Sequence, residues 1–433
     1  MKISEGMCFF QVMRGRNRAW VGEPGLLSVL LLMYLFLPTC FGSSPSNIEV
    51  LAMVNPVFTS IANGWILSDP AISGTIVPLK EPTKGGIEVG YIEKMMRIYY
   101  PRTFEELVSY NFLFFQGVDM AFFLPQQVQW MYEAIKIHGL GAANTRSSMS
   151  VHLYLAERWA TSILSEAFPN NAMAAIRNPG YGAGVQGILV VNDDPSVPPV
   201  MRPFKREIEA VIQTYSGLLT VPRPGCRILS WVKTGRLEYA YPLPGYVPHI
   251  FEWDYEAATT FTFMGFTSGD PFLDVDVNPF SQDVVLNIIW HGSHRELPED
   301  PIKVHVLRDM LWAFSRGRYL VFSVFDFAER FGANTEDLGN ELSNLDAVKS
   351  AVDSMYMEGR FDEAYAEMNK LMENLNRLTE KSIRLKDEAL VWVYIVEWLS
   401  VTGISVSSGT LIWTLMVKRK LYAEMGITRL GTR

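Results

Sequence analysis

Hydroxyl side chains cluster in one stretch of this chain, between a strand-like run and a helical run. Thr145, Ser147 and Ser148 lie there, and His152 follows at the start of the helical run. A hydroxyl within hydrogen-bond reach of a histidine can attack a carbonyl carbon, which is the chemistry of serine and threonine hydrolases. Hydroxyl residues at such turns also act as helix N-caps. Hydrolysis and capping both stay open for these residues.

The same turn holds two residues that are suited to binding. Arg146 stands beside the amides that open the following helix, where a carboxylate or a phosphate is stabilised. Asn144 closes the preceding strand-like run and adds an amide. A salt bridge from Arg146 to a neighbouring acid is the alternative. We predict a ligand contact at Asn144 and Arg146 that needs no cofactor.

An acidic segment further along the chain has the residue types of a metal site. Asp274, Asp276 and Asn278 offer oxygen ligands at alternate positions, as calcium-binding loops do. The segment lacks the Asp-x-Asp-x-Asp-Gly pattern and the distal glutamate of those loops. An Asn-Pro pair before a helical run favours a solvated loop that caps the helix, so no bound metal is expected.

The elements that must position these residues lie between two apolar segments. Gly25–Gly42 is rich in leucine, follows three arginines and precedes small residues. This pattern predicts that residues 1–42 are a signal peptide, with an uncleaved N-terminal anchor as the alternative.

The second apolar segment, Val391–Val417, predicts a transmembrane helix. At ~1.5 Å per residue it is roughly 40 Å long, enough for the hydrocarbon layer and both interfaces. The basic run Lys418–Lys420 follows at once and indicates a cytoplasmic end. We therefore predict a single-pass protein of the cell membrane, with its globular part outside and residues 418–433 as a basic cytoplasmic tail.

Residues 46–330 alternate between short apolar runs and amphipathic helical patterns, which predicts parallel strands with helices on the sheet faces. The fold class expected is a three-layer α/β sandwich with a mainly parallel sheet. The predicted strands are Ile48–Asn55, Met95–Tyr100, Phe112–Gln116, Leu140–Asn144, Gly187–Asn192 and Thr259–Phe266. The predicted helices are Pro125–Ile137, Val151–Phe168, Phe280–His291 and Pro301–Phe314.

Residues 331–388 predict an α-helical hairpin that forms a stalk. Gly359 separates two helical patterns, and the second can continue into the transmembrane segment. Its apolar residues repeat at alternating spacings of four and three, as in a coiled coil. They are Ala364, Met368, Leu371, Leu375, Leu378 and Ser382. The stalk is therefore a candidate surface for a protein partner or a homo-oligomer, beside the lipid bilayer that residues 391–417 contact.

Composition excludes other classes of function. The chain is 48% hydrophobic and 19% charged, which supports a large core. Its net charge is -8, and its two ends are basic, so the body is acidic and is not expected to bind nucleic acid. Cys8 and Cys40 lie in the leader, which leaves Cys226 alone in the body without an internal disulfide partner.

Residues 110–148, YNFLFFQGVDMAFFLPQQVQWMYEAIKIHGLGAANTRSS, resemble the class I glutamine amidotransferase-like fold. There, a strand ends in a polar turn, a proline opens a helix, and a second strand leads into a sharp turn before the next helix. The resemblance extends over residues 46–330. Membrane-bound members of this group in archaea and some bacteria have a similar signal-like start and C-terminal anchor.

The resemblance implies a catalytic cysteine at the second turn, activated by a histidine that a glutamate orients. This chain has Gly139–Ser148 there, without a cysteine, and Cys226 lies in a distant Pro-Gly turn. Neither His294 and Glu296 nor His249 and Glu252 replaces the family's His-x-Glu pair. We predict a pseudoenzyme without glutaminase activity, which binds a ligand or partner or acts structurally in the envelope. The alternative is a hydrolase with a nucleophile among Thr145–Ser148.

Overall fold

A mixed β-sheet of nine strands runs through the described part of the protein. The computed structural model describes residues 47–54, 61–79, 89–145, 153–177, 184–215, 221–235, 241, 243–265 and 270–430. The strands are β1 (Ile48–Val54), β2 (Ile72–Pro78), β3 (Phe112–Gln116), β4 (Gly141–Thr145), β5 (Val185–Val191), β6 (Ile212–Tyr215), β7 (Arg227–Lys233), β8 (Tyr246–Tyr255) and β9 (Ala258–Phe263).

Helices connect the first strands and dominate the C-terminal part of the chain. They are α1 (Ala62–Ser68), α2 (Val89–Tyr99), α3 (Phe104–Val108), α4 (Pro125–His138), α5 (Leu153–Thr161), α6 (Ala172–Arg177), α7 (Lys205–Ile208), α8 (Ser281–Gly292), α9 (Pro301–Arg330), α10 (Glu336–Met357) and α11 (Phe361–Leu430). The signal peptide or anchor predicted at residues 1–42 lies outside the described residues.

The sheet has a parallel half and an antiparallel half. Its strand order is β2-β1-β3-β4-β9-β8-β7-β5-β6. The pairs from β2 to β9 are parallel, and the pairs from β9 to β6 are antiparallel. The mainly parallel sheet that we expected is therefore a mixed one. Between β8 and β9 only Glu256 and Ala257 intervene, and such a tight turn joins only antiparallel strands.

Both faces of the sheet are buried at the central strand β3. Successive side chains of a strand point to opposite faces, so those of β3 enter two different core clusters. Phe112 and Phe114 belong to a core cluster that includes residues of α1 and α8–α11. Leu113 and Phe115 belong to a second cluster with residues of α4 and α5. The continuous apolar run of β3, which identified it as a buried strand, reflects this burial on two sides.

The strand predicted at Met95–Tyr100 is wrong, because the chain there belongs to helix α2. Glu93 and Arg97 form an ion pair one helical turn apart, and Met96 packs against the second core cluster. The apolar run therefore covers one side of a helix.

Helix α9 continues beyond Phe314, where the prediction ended it, to Arg330. Gly317 lies in its interior although glycine weakens a helix. A Cβ atom at Gly317 would lie only 2.8 Å from Leu375 Cδ2 of α11. The glycine thus allows the two helices to approach closely, which local sequence does not reveal.

Helix α11 confirms that the heptad helix and the apolar segment form one continuous helix. The six predicted heptad residues are buried against the protein, each at most 2% exposed. Within the described residues, α11 is the one helix long and apolar enough to cross a membrane, with a mean hydropathy of 1.7 in its most apolar window. Only 6% of that window is buried, unlike the core helix of a soluble protein.

Replacing Gly141 by alanine is expected to destabilise the sheet strongly. A Cβ atom there would lie 2.2 Å from the carbonyl oxygen of Gly292 and 2.7 Å from the ring of Phe112. Backbone cannot move aside cheaply, so we expect a loss of at least about 3 kcal/mol in the free energy of unfolding. Urea unfolding of the solubilised chain measures this. Alanine at Gly64, which has open space around its Cβ position, is the control and should change stability little.

Candidate functional site

The candidate site lies where the order of the parallel strands reverses, between β1 and β3. In open α/β sheets, ligands bind at this point, beside the carboxyl ends of the strands. Val54 and Gln116 are in register there, each the last residue of its strand. Gln116 Nε2 donates a hydrogen bond to Asn63 Oδ1 of α1 at 2.8 Å.

This amide pair is buried, since Asn63 is 7% exposed and Gln116 is 1% exposed. Asn63 Nδ2 has no hydrogen-bond partner within the described residues. A buried amide donor without a partner carries a cost of about 1–3 kcal/mol, and a bound ligand that accepts from it would remove that cost.

The hydroxyl candidate Thr145 lies beside the amide pair. It is in register with Gln116 across β3 and β4, so their Cα atoms are about 5 Å apart. Asn144 precedes it and points to the other sheet face, and both residues are buried. The remaining candidates of the turn, Arg146, Ser147, Ser148 and His152, fall outside the residues that the structure describes.

An ion pair borders the site on the other side of β3. Arg158 of α5 donates from Nη1 to Asp119 Oδ2 at 2.9 Å. The other oxygen of Asp119 accepts from the amide of Ala121 and so caps the short helix Met120–Phe122. The Asp119 side chain is 6% exposed and that of Arg158 is 51% exposed. The described part of the site thus combines neutral amides, a hydroxyl and one compensated ion pair.

A groove of about 770 Å³ adjoins the same short helix. Its floor is aromatic and includes Tyr100, Phe123 and Trp130, while Arg97 and Arg102 lie along it. The rings of Tyr100 and Phe123 are 5.8 Å apart, and burial raises the pKa of the Tyr100 hydroxyl. The groove offers apolar contact on the side of the sheet that α2 and α4 cover.

The described histidines have their contacts away from Thr145. His249 is buried and its Nδ1 lies 2.9 Å from Ser230 Oγ. Burial lowers the pKa of His249 to about 3, so this imidazole is neutral at physiological pH. His138 packs on the ring of Phe104.

Two further described histidines lie near carboxylates. His291 lies 3.4 Å from Glu252, and His305 lies 2.6 Å from Asp283.

Neither pair considered as a His-x-Glu equivalent forms one. Nε2 of His294 lies 3.3 Å from the carbonyl oxygen of Gly139, near the amino end of β4 and thus at the opposite sheet edge from Thr145. Glu252 accepts from Arg227 at 2.6 Å, whereas His249 contacts Ser230. Glu252 and His249 thus belong to separate polar groups.

The acidic segment forms local capping contacts. Asp274 accepts from the amide of Asp276 at 3.0 Å, and the Asn278 side chain donates to the carbonyl of Phe272 at 2.9 Å. Over the described residues, no group of three or more His, Cys, Asp or Glu side chains could hold a metal ion.

The Cys226 thiol is held in a turn next to strand β7. Its Sγ lies 3.6 Å from the carbonyl oxygen of Pro169. Burial raises the pKa of the thiol to about 12, despite nearby Arg223 and Arg227. Such a thiol stays protonated at physiological pH, whereas a nucleophilic cysteine needs a lowered pKa.

Sequence reasoning missed Asn63, Gln116, Asp119 and Arg158. Gln116 could have been identified from the sequence, because it is a polar residue that ends a run of four apolar ones. Its partner Asn63 could not, since it is 53 residues away and no local pattern links the two.

The comparisons with known proteins assign no family. No family model matches the chain, and no curated protein matches it. Among solved structures, the Cytoplasmic Protein STM3548 from Salmonella typhimurium aligns with 13% identity and a TM-score of 0.38, over 56% of this chain and 98% of that one. The Cytoplasmic Protein STM1381 from Salmonella typhimurium LT2 aligns with 11% identity and a TM-score of 0.35, over 57% of this chain and 98% of that one.

Proposed function

We propose that this chain is a membrane-anchored binding protein. Helix α11 holds it in the bilayer, with the sheet domain outside the cell membrane and the end after Lys418 in the cytoplasm. The exposed apolar window of α11 supports the anchor. In this proposal, the body is a three-layer domain of the amidotransferase-like type, and α10 with the first part of α11 is a hairpin stalk that a protein partner or a second copy can contact.

The body binds a small polar ligand at the crevice between β1 and β3. The observation that carries this proposal is the buried pair of Asn63 and Gln116, in which the Asn63 Nδ2 donor has no partner among the described residues. The ion pair of Asp119 and Arg158 is internally compensated. A neutral or zwitterionic ligand that carries an amide therefore fits the described residues better than a phosphate does.

Binding without glutaminase chemistry is favoured by the state of Cys226. Its raised pKa keeps the thiol protonated, and Cys226 lies directly before β7 rather than at the end of β4. Hydrolysis by a hydroxyl among Thr145–Ser148 is the competing outcome of the experiment below.

The test uses the full chain in detergent, with L-glutamine as the amide-bearing zwitterionic probe and inorganic phosphate as the charged probe. We expect L-glutamine to raise the melting temperature in a saturable way and phosphate to leave it unchanged. A ligand at a hundred times its Kd adds about 2.7 kcal/mol to stability. Gln116→Leu should abolish the shift, whereas Gln129→Leu, on the exposed surface of α4, should keep it.

Two results would contradict the proposal. Equal shifts in the Gln116→Leu variant and the unchanged chain, or none in either, would exclude this crevice as the site for the probe. Release of ammonia from glutamine, or ester hydrolysis that Ser147→Ala or Thr145→Ala removes, would instead establish an enzyme.

A further inference from the structure

The register between α9 and α11 places the end of α9 beside the apolar segment. Lys303 at the start of α9 pairs with Asp362 at the start of α11. Gly317 lies against Leu375 further along both helices. The two helices therefore run parallel, and residues that face each other differ in number by 58 or 59. Phe331, just after α9, is thus level with Ala389.

The other helices bury α11 only up to this level. Ala389 is 6% exposed and is the last buried residue of α11 in the described range. From Val391 the side chains are exposed, apart from the partly buried Val393. The apolar segment begins at the same residue, so the turn between α9 and α10 lies where the bilayer surface is expected.

The last turn of α9 and the residue after it carry exposed aromatic side chains. Phe327 is 38% exposed and Phe331 is 37% exposed, and their rings are 4.8 Å apart. Their spacing of four residues puts them on one side of the helix. At ~1.5 Å per residue along α11, Phe331 lies roughly 3 Å and Phe327 roughly 9 Å from the level of Val391. The polar layer of a bilayer is about 5–7 Å thick on each side of the hydrocarbon layer. With Val391 at the hydrocarbon boundary, Phe331 lies within the polar layer and Phe327 lies at its outer margin, about 2–4 Å beyond it.

We propose that Phe327 and Phe331 insert into the headgroup layer of the same bilayer that α11 spans, as a second membrane contact that holds the sheet domain at a set orientation. This inference rests on the proposed membrane anchor. The occupant is a lipid surface, because the aromatic pair continues directly from the apolar segment.

The charged residues near Phe327 and Phe331 indicate that the contact with the bilayer depends on apolar insertion and not on attraction to lipid charges. Glu329, Glu336, Asp337, Asp387 and Glu388 lie at this level, against Arg330 and Lys386. This acidic excess does not attract anionic lipids. Insertion should therefore occur in phosphatidylcholine and change little with salt.

Single spin labels on the full chain in phosphatidylcholine vesicles test the inference. Cys8, Cys40 and Cys226 are replaced by serine, and one cysteine is introduced by Phe331→Cys, Phe327→Cys, Leu320→Cys or Ile404→Cys. Leu320 is the matched control, since it is an exposed residue on the same side of α9 at roughly 20 Å from Val391. Collisions of each label with oxygen and with a water-soluble nickel chelate measure its depth.

We expect the labels at Phe331 and Phe327 to show a several-fold higher ratio of oxygen to nickel collisions than the label at Leu320. The label at Ile404 should show the highest ratio, because it reports the middle of the span. If the Ile404 label is in lipid but the labels at Phe331 and Phe327 give the same collision ratio as the label at Leu320, the proposed second contact is excluded. The proposed membrane anchor is then unaffected. If Ile404 itself collides with nickel as Leu320 does, the anchor fails and the inference fails with it.

Discussion

Replacing Arg308 by methionine lowers the free energy of unfolding by about 3–5 kcal/mol, because it leaves buried acids without their counterion. Arg308 of α9 is 3% exposed and donates to Asp283 Oδ1 at 2.7 Å and to the Tyr356 hydroxyl at 2.9 Å. That hydroxyl donates to Asp69 at 2.8 Å. The network joins the end of α1 to α8, α9 and α10, so it holds the sheet and the C-terminal helices together.

Urea unfolding of the detergent-solubilised chain measures this loss. The matched control is Arg318→Met on the same helix, where the Arg318 side chain is 49% exposed and pairs with Asp346 at 2.7 Å. An exposed pair contributes about 0–1 kcal/mol. Equal losses in the two variants would show that burial does not set the strength of the Arg308 network.

Replacing His249 by glutamine makes the protein much more resistant to acid. The folded chain holds the pKa of His249 at about 3 through burial, against an ordinary value of 6.5. Between these two pH values the unfolded chain binds a proton at His249 and the folded chain does not. Stability from this group is therefore complete above pH 6.5 and falls by about 1.4 kcal/mol per pH unit below it. Glutamine cannot titrate and can still bond to Ser230.

The measurement is urea unfolding of both chains at pH 7 and at pH 4.5. We expect the unchanged chain to lose about 2–3 kcal/mol more than the variant over this range.

His305→Gln is the control of opposite sign. Burial opposes protonation of His305, but the hydrogen bond and charge of Asp283 outweigh it and raise the pKa of His305. Its stabilisation is present below pH 6.5 and is lost as the pH rises further. Parallel pH curves for the unchanged chain and the His249 variant would contradict the assignment.

Part of the candidate site was predictable from the chain alone. Thr145 and Asn144 follow a buried apolar run, and the ends of neighbouring parallel strands meet at one sheet edge. Their partners were not predictable, because Asn63 and Gln116 meet only through the packing of α1 on the sheet. Tyr356 and Asp69 are a stronger case, since 287 residues separate them.

The sequence by itself determined the features that repeat over neighbouring residues. The heptad residues of α11, the apolar segment that follows them and the buried strand β3 all show in local patterns, because a helix or strand exposes its faces with a fixed period. Tertiary structure alone decided the antiparallel half of the sheet, the long α9 and the buried ion network of Arg308. These depend on contacts between distant segments, whose free energy no local period encodes. Gly317 shows this directly, since it breaks the helical pattern locally and is the residue that lets α9 pack on α11.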